Sequence, residues 1–354
     1  MELKDSQISL LIIYTGGTIG MVKDPATGAL RPFDIDNLYK HIPVLESYPF
    51  KIDSIAFDPL IDSSSINPEH IIKLTRIIRD NYEEYDGFVV LHGSDTMAYT
   101  ASFLSFMLEN LNKPVILTGA QLPLGILRSD GRENLINAIE IASAHEENTP
   151  LVPEVAVYFE NALYRGNRTH KTNAEDFEAF RSGNYPQLAN IGVHIKYYKD
   201  RIRRPNFKKL KAHLQLDDHV TVLKLFPGIS REVVQAVLHI PNLRGVVLET
   251  YGSGNAPDDT WFLDEIADAV KRGIIVLNVT QCESGSVEMG KYATSLSLYN
   301  SGVIPGHDIT TEAAVAKMMY LLGRDFSTEE TKRLLTKPLR GELTVKNSEA
   351  NGSA

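Results

Sequence analysis

Two short segments combine the residue types needed to open an unactivated carbonyl: flexible glycine, bare hydroxyl and a neighbouring carboxylate. Residues 14–20 read Tyr14-Thr15-Gly16-Gly17-Thr18-Ile19-Gly20 and follow the apolar run Ile8 to Ile13. Residues 92–96 read His92-Gly93-Ser94-Asp95-Thr96 and follow Gly87 to Leu91. Glycines at 16 and 17 permit a tight turn and close approach to a ligand, leaving Thr15 and Thr18 as candidate hydroxyl nucleophiles. Ser94 adds a further hydroxyl, and Asp95 could accept from a substrate ammonium or orient a neighbour. Amide hydrolysis needs a nucleophile, a group that takes its proton, and donors facing the developing oxyanion. These segments carry the first parts of that set.

Each has a plainer reading. Thr-Gly-Gly-Thr-Ile-Gly could be a tight structural turn; a nucleotide loop is poorly matched, since it is neither the dinucleotide fingerprint nor a P-loop with Gly-Lys-Ser/Thr. The 92–96 segment could be a helix entry capped by Ser94 or Asp95. A third segment, Leu163-Tyr164-Arg165-Gly166-Asn167-Arg168-Thr169-His170-Lys171-Thr172, supplies cations. Lys171 could act as a base if burial or neighbouring cations held it neutral; the alternative is a surface lysine. Arg165 and Arg168 are expected to hold acidic partners. Asp62-Ser63-Ser64-Ser65 offers hydroxyl and amide donors for a substrate carboxylate, with an N-cap before Pro68 as its rival. Gly119-Ala120-Gln121-Leu122-Pro123 could close the pocket from another side. No His-Glu-x-x-His pattern supports a metal, and Cys282 is expected in the core or at an interface rather than as a ligand.

Positioning these groups requires strands that end together. Apolar runs predict strands at 8–14, 52–57, 87–92, 114–118, 154–159, 221–226, 245–250 and 274–279. After Pro68, Ile71, Ile72, Leu74, Ile77 and Ile78 recur at helical spacing, and similar patterns follow at 97–110 and 134–144. Further helices are predicted at 230–239, 261–272, 311–322 and 327–335. The alternation predicts an α/β protein: an N-terminal doubly wound, mostly parallel sheet domain over 1–198 and a smaller C-terminal α/β domain over 220–354. The basic, Pro-containing stretch 199–219 breaks the rhythm and reads as a solvated connector. In such sheets ligands bind at the carboxyl ends of the strands, where both glycine-hydroxyl turns fall.

The 354 residues are 43% hydrophobic and 23% charged, the profile of a packed globular chain. A net charge of −9 argues against a broad nucleic-acid surface. No apolar run is long enough to span a membrane, the first residues do not read as a secretory leader, and one cysteine excludes an intrachain disulfide. The expected location is the cytoplasm, with neither membrane nor nucleic acid as partner.

Taken in order, the segments at 14–20, 92–100 and 163–169 resemble the bacterial-type L-asparaginase family, in its cytoplasmic type I branch. Leu127-Arg128-Ser129-Asp130-Gly131, Tyr251-Gly252-Ser253-Gly254-Asn255-Ala256-Pro257 and Leu339-Arg340-Gly341-Glu342-Leu343-Thr344 extend the likeness to about residue 344. The resemblance implies hydrolysis of L-asparagine to L-aspartate and ammonia through an acyl-enzyme, without a cofactor. It implies Thr18 as the nucleophile, and Ser94, Asp95 and Lys171 as a second catalytic group in which the lysine activates a hydroxyl. Asp95 would also meet the substrate ammonium, while Asp62, Ser63 and Ser64 would hold its carboxylate. Gly93 and Ser94 would offer N–H groups to the oxyanion, and Asn255 would approach a pocket across an intimate homodimer, which in this family often pairs into a dimer of dimers.

Several positions depart from the family pattern. Ser94 stands where threonine is usual, and residues 19–38 lack the tyrosine that a mobile loop commonly supplies. Glu249 occupies the place of an arginine in the regulatory asparagine site of some type I members, and His170 replaces a small polar residue; Cys282 does match a cysteine near that site. That site is therefore expected to be absent or altered. Two other functions remain open at this level, a dual asparaginase-glutaminase and a non-catalytic sensor of asparagine or aspartate. An amidotransferase subunit is disfavoured because the catalytic pattern begins almost at residue 8.

Overall fold

The computed structural model describes residues 7–23, 30–32, 42–124, 126–290 and 293–345. Most of the stretch 19–38, where the loop tyrosine would be expected, therefore lies outside the described residues. The chain divides into two compact units, Met1–Leu214 and Gln215–Ala354.

In the first unit, β1 (Ser9–Tyr14), β2 (Lys51–Ala56), β3 (Gly87–Leu91), β4 (Val115–Thr118) and β5 (Val155–Phe159) run parallel in the order β2-β1-β3-β4-β5. Three antiparallel strands extend the β5 side: β6 (Ala162–Arg165), then β9 (Ala189–Ile191) and β10 (Ile195–Tyr197), separated in sequence by the small hairpin β7 (His170–Lys171) and β8 (Phe180–Arg181). The sheet is thus mixed but mostly parallel.

Side chains on a strand alternate between faces, and β1 shows what each face meets. Leu10, Ile12 and Tyr14 join a core with Leu135, Ala138 and Ile139 of α3 (Gly131–Ser143). Leu11 and Ile13 join the opposite core with Leu74 and Ile78 of α1 (Pro68–Asp80) and with Ala101 and Leu104 of α2 (Met97–Met107). A strand apolar on both faces needs helices on both, which makes the sheet doubly wound.

The second unit has a four-stranded parallel sheet in sequence order: β11 (Val220–Lys224), β12 (Gly245–Thr250), β13 (Ile275–Thr280) and β14 (Ile304–Pro305). Val234 and Leu238 of α4 (Arg231–Leu238) and Phe262, Ile266 and Ala269 of α5 (Thr260–Lys271) share one core with β12. Then come α6 (Ala293–Asn300), α7 (Thr311–Leu322) and α8 (Thr328–Leu335). Helix α7 comes so close to β12 that a Cβ on Gly245 would lie 2.2 Å from the Met318 sulfur. The stretch 199–219 is not bare chain throughout. Lys199 pairs with Glu146, and Lys211–Ala212 pairs with Leu108–Glu109. Among the described residues no helix is long and apolar enough to cross a membrane. Cys282, expected in the core or at an interface, is exposed on the chain; it follows the end of β13, where the buried strand gives way to a surface turn.

Candidate active site

Register brings the carboxyl ends of four strands level. Tyr14 lies beside Ala56 and Leu91, and Leu91 lies beside Thr118. The chain order reverses between β1 and β3, the kind of switch point at which open α/β sheets bind ligands. The turns carrying Thr18 and Ser94 leave the sheet on the two sides of that crevice.

The turns are knit to one another by backbone. Thr15 N–H and its hydroxyl both donate to Leu91 O at 3.0 Å, and Ile61 N–H donates to Thr15 O at 2.9 Å. A Cβ on Gly17 would lie 2.5 Å from both Cα and N of Gly93, and a Cβ on Gly93 would lie 2.4 Å from Ser63 Oγ. Thr96 Oγ1 donates to Ser63 O at 2.7 Å. Thr18 begins a short 3-10 turn, Thr18–Gly20, and is half-buried. Beneath it the Tyr14 ring fills the space a Gly20 side chain would need, and burial pushes the Tyr14 phenol up to about 12. Thr15 is 2% exposed with its hydroxyl committed to the backbone, so of the two candidate threonines Thr18 has the freer hydroxyl.

Lys171 resolves the plainer readings of two segments. Carried by the β7–β8 hairpin, its ammonium donates to Ser94 Oγ at 2.8 Å and to Asp95 Oδ1 at 2.7 Å. Its side chain is only 16% exposed, so it is not a solvated lysine, whereas Asp95 remains 63% exposed. The cap of α2 is Thr96, whose hydroxyl goes to Ser63 O and makes no capping bond to the helix, so neither Ser94 nor Asp95 caps it. Ser94 Oγ also faces Gln121 Oε1 at 3.4 Å.

The Asp62–Ser65 segment divides its roles. Asp62 Oδ1 accepts from Ser64 N–H at 2.9 Å and from Ser64 Oγ at 2.8 Å, and these bonds hold its carboxyl below the usual carboxylate range. It caps the 3-10 turn Ser63–Ser65, while Asn67 caps α1 in a capping box with His70, so the rival reading as cap of α1 is not the structure's. Ser63 is buried against Gly93 and Ser64 is exposed. Asn255 lies in the second unit, where its strand-like bridge to Tyr251 closes a turn.

His92 and Asp130 were not singled out as site residues from the sequence, yet both shape it. His92 is fully buried; its Nδ1 donates to Gly93 O at 2.7 Å and its Nε2 accepts from Thr100 Oγ1 at 2.9 Å. Burial lowers its pKa to about 4, so the imidazole is neutral near pH 7. The Asp130 carboxylate accepts from Gln121 N–H at 2.9 Å and from Leu122 N–H at 3.0 Å, pinning the turn after β4. Arg165 is held by Glu154 at 2.7 Å, an acidic partner as expected, and Arg168 lies over the Tyr185 ring. Elsewhere Asp217, Asp218 and His219 lie close enough to share an ion, but Asp217 already accepts from His219 and Arg244. Glu249 accepts from Thr311 Oγ1 at 2.6 Å and sits 3.4 Å from Lys224, while His170 is exposed.

Comparison with known proteins gives the same picture over nearly the whole chain. The family model "Asparaginase, N-terminal" matches residues 9–203, and "Glutaminase/Asparaginase C-terminal domain" matches residues 219–335. L-asparaginase 1 of Escherichia coli K12 is 44% identical over 341 residues, covering 95% of this chain and 98% of that one. The crystal structure of L-asparaginase I from Vibrio cholerae superposes with a TM-score of 0.86 at 41% identity, covering 96% of this chain and all of that one. The thermostable L-asparaginase from Thermococcus kodakarensis gives 0.87 at 32% identity with the same coverage.

Proposed function

Because this chain belongs to the bacterial-type L-asparaginase family, in its type I branch, it is an amidohydrolase that converts L-asparagine to L-aspartate and ammonia, and we propose which of its residues do so. Thr18 Oγ1 attacks the side-chain carbonyl carbon, and its proton passes through Ser94 Oγ to Lys171 Nζ, which must enter the step as the neutral amine and leaves it as the ammonium. The N–H groups of Gly93 and Ser94 face the oxyanion. The C–N bond breaks as the leaving amine takes that proton back from Lys171 Nζ through Ser94 Oγ, and ammonia departs; water then attacks the threonine ester, its proton leaving by the same relay and returning to Thr18 Oγ1. Asp95 meets the α-ammonium, while Ser63 and Ser64, with Asp62 holding their turn, meet the α-carboxylate. Holding both charges orients the amide, a contribution that can supply much of the rate. The observation that carries this reading is Lys171 Nζ within 2.8 Å of Ser94 Oγ and 2.7 Å of Asp95 Oδ1, beside the turn that carries Thr18.

Catalysis is assigned to the N-terminal domain, 1–198, with 199–219 leading into the C-terminal domain, 220–354. The chain works in the cytoplasm and assembles as an intimate homodimer or a dimer of dimers, with Asn255 approaching a partner's pocket. Glu249, engaged with Thr311 and Lys224, replaces the cationic group expected for binding a regulatory asparagine.

The test is ammonia release from L-asparagine and L-glutamine over a wide concentration range, with Thr18→Ala and Lys171→Ala alongside. The expected result is release from asparagine along a hyperbolic curve. Thr18→Ala should lower kcat by more than about 10³-fold and Lys171→Ala by about 10²- to 10⁴-fold, with folding intact. Equal or faster release from glutamine would replace the asparagine-selective reading with the dual one. Binding of asparagine without release would leave a sensor.

A further inference from the structure

A serine hydroxyl that must relay a proton has to be held, because a single oxygen on Cβ can visit three staggered wells. Ser94 has no second Cβ substituent to narrow that choice. Its Oγ accepts from Lys171 Nζ at 2.8 Å, and Gln121 Oε1 stands on its other side at 3.4 Å. That separation is long for an O–H···O bond, so the Gln121 contact is the weaker of the two and steers the hydroxyl rather than locking it.

Gln121 is itself held at both ends. Its backbone N–H donates to the Asp130 carboxylate at 2.9 Å. Its side-chain Nε2 donates to the Asp176 carbonyl at 3.0 Å, which turns Oε1 toward Ser94. Asp176 belongs to the loop of the β7–β8 hairpin, where Asn173 Oδ1 accepts from the N–H groups of Glu175 and Asp176 at 2.8 and 3.0 Å. Thr172 N–H donates to Ala179 O at 2.8 Å and closes the same hairpin. One amide therefore touches both the hydroxyl and the loop that carries Lys171.

We propose that Gln121 is a positioning residue for the reaction: it steers Ser94 Oγ toward one rotamer and fixes the Lys171 hairpin against it. The proposal rests on the reading of Ser94 and Lys171 as the pair that takes the nucleophile's proton. While Lys171 is an ammonium it fills one lone pair of Ser94, and the hydroxyl proton turns to Gln121. When Lys171 is neutral, the proton turns to Nζ without the oxygen moving.

The experiment compares Gln121→Met, which keeps length and loses both polar contacts, in the natural chain and in a Ser94→Thr background, with Ser94→Ala as reference. A threonine restricts χ1 by its own branching and needs less help. Gln121→Met should lower kcat for L-asparagine about tenfold, with KM and thermal midpoint nearly unchanged, and in the Ser94→Thr background the loss should shrink to about threefold or less. Equal losses in both backgrounds, or a kcat within twofold of the natural enzyme, would overturn the positioning role. A parallel drop in thermal midpoint and rise in KM would do so as well, by marking a merely structural contact. If Ser94→Ala is impaired while Gln121→Met is not, Gln121 alone loses its role. If Ser94→Ala keeps its full rate, the proton-relay reading falls and the proposal falls with it.

Discussion

At the scale of single residues, the backbone contact beneath the nucleophile is the hardest constraint in the site. Gly17 has φ 89° and ψ 174°, a conformation an L side chain adopts only with strain. The atoms its Cβ would strike are the Cα and N of Gly93, and backbone cannot swing aside as a side-chain tip can. Gly17→Ala should therefore push the Thr18 turn away from the Ser94 turn. We expect kcat for asparagine to fall about 10²-fold, with about 1–3 kcal/mol of strain added to the folded chain. Ammonia release and a urea denaturation curve check the two effects separately. That glycine sits here was readable from Thr-Gly-Gly-Thr; what it must avoid was not, because Gly93 is remote in sequence. The same limit applied to Lys171, whose alternatives as base or surface cation differ only in what lies across the turn. Ser and Asp are ambiguous for another reason. One oxygen serves equally as helix cap or ligand, and only the partner found decides, as Thr96 and Asn67 did by taking the cap positions.

At the scale of elements, the strands buried on both faces were the most legible. β12 coincides with the predicted 245–250 and α7 with 311–322. The antiparallel strands β6, β9 and β10 left no such signal: they are three or four residues long, and β9 breaks its apolar run with exposed Asn190. Helix α7 was found by its spacing, yet one of its residues inverts the usual rule. Lys317 is fully buried, donating to Leu335 O at 2.8 Å and Lys337 O at 2.6 Å and pairing with buried Glu342 at 2.6 Å. Glu342 in turn accepts from the N–H groups of Leu339 and Arg340. The pair thus clasps the stretch after α8 to α7, and no local pattern could reveal a partner 25 residues away. Lys317→Met leaves a buried carboxylate uncompensated and should cost about 3–5 kcal/mol, lowering the thermal midpoint by about 10 °C. Adding Glu342→Leu should recover most of that loss. A double variant no better than Lys317→Met would show that the clasp acts through the carbonyl contacts alone.

At the scale of the whole molecule, the site's supports and its stability share one titration. His92 lies beneath the Ser94 turn, and burial holds its pKa near 4 in the folded chain against 6.5 when exposed. Between those values the unfolded chain binds a proton that the folded chain refuses, so stability rises with pH across the window. The contribution is fully present above about pH 6.5 and is lost as pH falls toward 4, a difference of about 3 kcal/mol. Asp62 titrates with the same sign but lower: its folded carboxyl is depressed, so its contribution is present above the ordinary carboxylate pKa and lost only as pH falls through the depressed value. The two windows are therefore separable. Urea denaturation of the intact chain from pH 7.5 to 4.5 should show the falling stability. His92→Gln, whose amide can donate to Gly93 O and accept from Thr100 but does not titrate, should flatten the curve over that range. Parallel curves for the two proteins would assign the acid sensitivity elsewhere. A flattened curve would assign the acid sensitivity to the buried His92, and activity lost at pH 5 should then return on neutralisation together with the native stability.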